Sequence, residues 1–293
     1  MTEAGKGVLA MVAACTVWGL SPLFYIMLAD IPPAEVLAHR TLWSVVVFAG
    51  LLTWQGRLHE VPLALNTARK LVLVVAATAM ISTNWFLFIF AVGAGRTVEA
   101  SLGYYIYPLV AVLIGALVLR EPLGRAQVLA VALAATAVLV LSLGLGAPPW
   151  ISLTLATTFG VYGLLKRWVA SGPVVSVTTE VLVLAPFGLA YLILWGSGAF
   201  GGDARTTFLL ILSGPLTAIP LILFSYAVKR TAMATVGLLQ YINPTLQFGV
   251  AVLILNEVAT IWHAIAFPLI WLALATYSTS AIRAARLPRP PPS

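Results

Sequence analysis

Charge is the scarcest property of this sequence. Asp, Glu, Lys and Arg make up only 9% of its 293 residues, where a soluble globular chain carries roughly a quarter. A water-soluble fold of that length would lack the polar side chains to cover its surface. Cysteine is nearly absent as well, and the single Cys15 excludes an internal disulfide framework and a multi-cysteine metal site. The three histidines, at 39, 59 and 263, are too scattered for a zinc site. There is no Walker-type glycine-rich loop, no His-Glu-x-x-His pair and no Gly-x-Ser-x-Gly elbow. An enzyme is therefore not expected, nor a cofactor or resident metal, and any energy must come from gradients instead of ATP.

What is present is apolar. Hydrophobic residues make up 61% of the chain, mean hydropathy is +1.03, and lipid is the solvent that suits it. A spanning helix needs about 20 mostly apolar residues, at 1.5 Å each across a core of about 30 Å. Ten runs qualify: Lys6–Ala29, Ala34–Trp54, Lys70–Gly93, Val98–Leu119, Arg125–Leu143, Pro149–Trp168, Val174–Trp195, Thr206–Val228, Met233–Leu255 and Thr260–Ala281. Val12-Ala13-Ala14-Cys15 resembles a lipoprotein processing site, but the apolar run before it, Gly7 to Val12, is too short. Cys15 therefore reads as a small residue within the first span. The breaks between spans are short, so successive helices are expected to be antiparallel neighbours.

The net charge of +7 does not point to nucleic acid, because the basic residues sit in the gaps between apolar runs and act as topology determinants. With the N-terminus in the cytoplasm, thirteen of the sixteen lysines and arginines fall inside and only Arg40, Arg96 and Arg205 outside. Both termini are then cytoplasmic, with residues 283–293 as a cytoplasmic tail and Leu287–Ser293 as its Pro-rich, disordered end.

The chain also repeats itself. A shift of 136 residues lays Tyr105-Ile106-Tyr107-Pro108 on Tyr241-Ile242-Asn243-Pro244 and Glu121 on Glu257, and a shift of 141 lays Gly19 on Gly160. Leucines and alanines align by chance, but the paired Tyr-Ile-x-Pro and glutamates are harder to dismiss. The expected fold is an all-α membrane protein of ten transmembrane helices, with residues 1–145 and 146–282 as inverted five-helix repeats. Two such halves can rock around a substrate site near the bilayer midplane.

Candidate path residues follow from polarity and spacing. Pro108 and Pro244, near the middle of the fourth and ninth spans, each free a carbonyl and are candidate hinges. Gln240, Asn243 and Gln247 share one face of the ninth span, with Tyr241 beside them, and the repeat matches Tyr104 and Tyr107 to Gln240 and Asn243. Such groups must face protein or water. They either line a cavity or bond helix to helix. Asn84, Trp85 and Trp18 could complete the cavity, and its aromatic faces would suit amphipathic or cationic groups. Glu35, His39 and Arg40 in the second span, with Glu99 opening the fourth, form a candidate outer gating or proton-coupling group, in which Arg40 is expected to pair with Glu99 or Glu35. Glu180, with no basic residue on its own helix, is the strongest candidate to titrate. Glu121 and Glu257 are expected to cap or pair locally.

These residues also carry a resemblance. Trp18-Gly19-Leu20-Ser21-Pro22, Glu35 through Ser44, Asn84-Trp85, Glu99 through Tyr104 and Leu239 through Thr245 together resemble the RarD group. That group lies in the EamA branch of the drug/metabolite transporter superfamily. The resemblance implies ten helices in the bacterial inner membrane and an exporter. One departure is Gly93-Ala94-Gly95, where similar proteins often carry asparagine. The function expected is secondary active transport of a small amphipathic metabolite or drug by alternating access, with protons as a candidate coupling ion. The alternatives are a passive facilitator using the same cavity and a membrane accessory or structural protein.

Overall fold

The computed structural model describes residues 2–120, 123–146, 148–228, 230, 231, 235, 236, 239 and 240–286, with side chains as far as Thr279. Among the described residues it is all-helical, with eleven α-helices and no strand. They are α1 (Glu3–Tyr25, continued by a 3-10 turn, Ile26–Leu28), α2 (Pro33–Trp54), a short α3 (Glu60–Leu63), α4 (Ala68–Gly93), α5 (Thr97–Val118), α6 (Arg125–Leu145), α7 (Trp150–Trp168), α8 (Pro173–Trp195), α9 (Ala204–Val228), α10 (Ile242–Leu253) and α11 (Ile261–Arg286). Eight of these, all but α3, α7 and α10, are long and apolar enough to cross a membrane.

Helix starts follow local chemistry. Thr2 and Thr67 cap α1 and α4 by accepting from the amides of Gly5 and Lys70. Pro33 and Pro173 open α2 and α8, where a missing N–H costs nothing. The turn from α4 to α5 closes with Arg96 N donating to Ala91 O at 2.8 Å, and Gly95 has φ +67°. Glycine takes that left-handed position without a Cβ penalty, which accounts locally for the Gly93-Ala94-Gly95 departure.

Three expectations need correction. The ninth run is not one continuous helix: residues 235, 236 and 239 are helical, Gln240 and Tyr241 form turns, and α10 begins at Ile242. The physical reason is Pro244, which cannot donate to Gln240 O and is accommodated in the first turn of a new helix. At the C-terminus, helix continues through Arg286, past the expected limit of the last span at Ala281; residues 287–293 and Glu121 lie outside the described residues. Finally, successive helices are not the main packing partners. α5 packs along α7, α6 along α11, α2 on α8 and α9, α1 on α9 and α10, and α4 on α7. Each of these interfaces joins a helix before residue 146 to one after it. Short connections fix sequence proximity, but the burial available between faces decides partners.

Small residues allow the closest approaches. A Cβ on Gly103 would lie 2.8 Å from Ser152 O, and one on Gly19 would lie 3.0 Å from Asn243 O. Backbones at these crossings touch directly, as in membrane bundles generally. Outward faces are apolar, with Leu139, Leu143, Phe187, Ile193 and Leu272 all exposed. The interior holds Glu35, Arg40, Asn84, Glu180 and Gln247, all buried. That distribution, apolar outside and polar within, is the one a lipid solvent selects.

Candidate functional site

A central cavity of about 710 Å³ lies between the packed helices, lined by residues of α1, α2, α4, α5, α7, α8, α9 and α10. All nine residues expected to contact substrate line it: Trp18, Asn84, Trp85, Tyr104, Tyr107, Gln240, Tyr241, Asn243 and Gln247. So do both candidate hinges, Pro108 and Pro244, and Arg40. The cavity reaches Ser171 in the α7–α8 connection and Val228 at the end of α9. Among the described residues, none from the connections at the opposite end of the bundle lines it.

Several polar walls serve two purposes. Asn84 Nδ2 donates to Leu155 O (2.9 Å) and Thr158 Oγ1 (3.1 Å), while its Oδ1 accepts from Tyr104 OH at 2.9 Å. It therefore joins α4 to α7 and α5 while facing the cavity. Asn243 Oδ1 accepts from Gln247 Nε2 at 2.9 Å, and Gln247 Oε1, fully buried, has no partner. Aromatic rings meet edge to face, with Tyr107 on Phe159 at 4.8 Å and Tyr104 on Phe159 at 6.0 Å between centroids.

The buried charges depart from expectation. Arg40 pairs with neither Glu35 nor Glu99. Its Nε donates to Thr217 Oγ1 at 2.8 Å, and its guanidinium lies over the Trp85 ring at 4.3 Å. The spacing along α2 aims Arg40 inward, about 10 Å from the helix start, whereas both glutamates have nearer donors. Glu35 accepts from Ser197 N (2.7 Å) and Ser197 Oγ (3.0 Å), and Glu99 pairs with Arg96 at 2.6 Å. His39 stacks on Phe200 at 4.9 Å. Glu35, His39 and Glu99 do not line the cavity. Glu180 also has a cation after all: Lys166 Nζ at 2.7 Å, with Tyr162 OH at 2.9 Å and Ser176 Oγ at 3.1 Å. Lys166 comes from α7, so inspection of α8 alone could not find it.

Comparison with known proteins fits this geometry. A profile of the EamA-like transporter family matches residues 5–143. Protein RarD of Streptomyces exfoliatus is 42% identical, over 98% of this chain and 92% of its own length. The uncharacterized transporter YojE of Bacillus subtilis is 37% identical over 96% of each chain. Protein RarD of Escherichia coli is 34% identical, over 94% of this chain and 95% of its own. This chain belongs to the EamA-like transporter family. A crystal structure of a protein 20% identical in sequence covers 96% of this chain and 99% of its own with a TM-score of 0.64, a likeness of fold. As an EamA-like transporter of the RarD group, it is a multi-pass protein of the bacterial inner membrane.

Sequence reasoning missed several walls of the EamA-like cavity. Phe159, Tyr162 and Lys166 line it from α7, and Thr217 from α9. Tyr162 and Lys166 are four apart and so share a face, a signal that could have been noticed; Thr217 matters only through Arg40. Glu257 also behaves differently from the local cap expected. It accepts from Thr97 N and Val98 N, both at 2.8 Å, and so caps α5 from 160 residues away. On the other end of the bundle, hydrogen bonding to Arg57 holds the half-buried Glu60 carboxyl below the usual glutamate range.

Proposed function

We propose that this EamA-like protein is a secondary active exporter of small amphipathic molecules. It would have ten spans in two inverted five-helix halves, both termini facing the cytoplasm, and would work by alternating access. The observation that carries the reading is the cavity itself, built at the meeting of the two halves and extending toward one end only. That end bears Arg57, Lys70, Lys166 and Arg230, as the cytoplasmic side should. The opposite end is tied by Glu35–Ser197 and by Glu257 on α5. This arrangement fits an inward-facing state, with release to the outside requiring those ties to open.

Support for the repeat comes from paired contacts. Gly19 of α1 lies against Leu246 of α10, and Gly160 of α7 lies against Val110 of α5. Shifts of 141 and 136 residues convert one contact into the other. Exchanging halves likewise turns the α1–α10 packing into α7–α5 and leaves α6–α11 unchanged.

The test is flux in liposomes with and without a pH gradient. A proton-coupled carrier accumulates substrate only with the gradient, and Glu180→Gln should abolish that accumulation while sparing exchange. The second reading is passive facilitation through the same cavity. What favours it is Lys166, which matches the charge of Glu180 and gives that carboxylate a structural task. Flux indifferent to the gradient in the unsubstituted protein would select it.

A further inference from the structure

Arg40 is the feature of the cavity that the packing does not explain. The side chain is 7% exposed, and burying a cation without a counter-charge is costly. Yet only its Nε is bonded, to Thr217, and its two terminal nitrogens donate to no protein atom among the described residues. Among the described residues, two cations, Arg40 and Lys166, line the cavity, and no carboxylate does. Lys166 is already matched by Glu180 behind it. The described lining therefore carries one uncompensated positive charge, on Arg40.

The proposed repeat sharpens the point. Aligning Pro33 with Pro173, a shift of 140 residues, places Arg40 on Glu180, while the shift of 141 places Tyr25 on Lys166. The Glu180–Lys166 contact thus has its counterpart in Arg40 and the Tyr25 ring, 5.8 Å apart. One half neutralises its buried charge within the protein. The other sets a neutral phenol where the counter-ion would stand. The aromatic faces nearest that point, Trp85 and Tyr25, are taken by the protein's own cation, so the cavity disfavours a second one.

We propose that the substrates are amphipathic organic anions, whose carboxylate docks on the free nitrogens of Arg40 while the apolar body lies against Tyr104 and Phe159. A planar guanidinium fork suits a two-oxygen anion in this way. The inference deepens the transport reading by naming its substrate class.

The test compares probes of one skeleton and three charges: phenylpropionate, naphthylacetate and decanoate, each beside its primary amide and its amine. Affinity is measured by thermal stabilisation of the full-length protein in neutral detergent, which keeps anionic lipid headgroups out of the comparison. At least one carboxylate should bind about tenfold or more tightly than its amide, as a charge-assisted hydrogen bond contributes, and the amines should bind least. Arg40→Gln should erase the preference and Arg40→Lys should keep part of it. If Arg40→Gln does not fold, Thr217→Val, which frees the guanidinium, should weaken the preference. Amides or amines binding as well as carboxylates, no carboxylate binding, or an undiminished preference in Arg40→Gln would each overturn the assignment. Liposome flux separates the two proposals. Carboxylates that bind without crossing support this one and remove transport; amines that cross while carboxylates fail to bind do the reverse.

Discussion

Asn84 and Glu257 each occupy a single position that ties distant parts of the chain together. Asn84 takes part in three hydrogen bonds across helix interfaces, and such bonds in membrane bundles average about 0.6 kcal/mol each. Asn84→Leu should therefore destabilise the protein by about 1–2 kcal/mol, read as a lower midpoint in denaturant unfolding in micelles. An unchanged midpoint would show that water or another side chain replaces the amide. Glu257→Ala leaves two amides at the start of α5 without their acceptor; a loss of about 0.5–2 kcal/mol is expected from the cap, with faster hydrogen exchange at Thr97 and Val98. Both residues were visible in the sequence as polar groups near apolar runs. Their partners were not, since Leu155, Tyr104 and Thr97 are remote in sequence or offer only backbone atoms.

Among elements, α10 differs most from expectation. A hydropathy pattern records that residues are apolar, but it does not record whether the backbone between them is regular. Pro244→Ala restores an N–H that can bond to Gln240 O, so the helix should lengthen toward Gln240. Slower hydrogen exchange at Asn243 to Leu246 would check this, and transport should slow with substrate binding retained if the break is a hinge. Apart from the end of α11, the other long helices begin and end within a few residues of the expected limits, because each long apolar run is bounded by charge, glycine or proline. α9 carries a pH-dependent start. Hydrogen bonds from Thr206, through its side chain and then its backbone, hold the Asp203 carboxyl below the usual aspartate range. A depressed carboxylate contributes stability that is complete above the unfolded-state pKa of about 3.9 and is lost as pH falls through its folded value. The Thr206 amide, which donates to Asp203 Oδ1 at 2.8 Å, should therefore lose exchange protection on acidification below about pH 4. Asp203→Asn should remove that pH dependence.

For the whole molecule, orientation is the prediction most open to direct measurement. In a Cys15→Ala background, a single cysteine at Gly198 or Gly201, in the α8–α9 connection, should react with an impermeant thiol reagent added outside intact cells. One at Gly56 or Leu58 should not. The opposite pattern would invert the membrane orientation, and with it the assignment of the cavity mouth to the cytoplasm.

The sequence by itself determined the solvent, the helical class and part of the cavity lining, from Trp18 and Asn84 to Gln247. Those follow from local quantities: charge density, run length, and the requirement that amides and phenols avoid hydrocarbon. Only the tertiary structure decided which charge meets which. Ion pairing depends on where side chains from separate helices converge, so Glu180 gained Lys166 from α7 while Arg40 was turned from both expected glutamates toward Trp85 and Thr217. It also decided that helices before residue 146 pack on those after it more than successive helices do, because partner choice follows the shape and burial of whole faces, which no short stretch of sequence encodes.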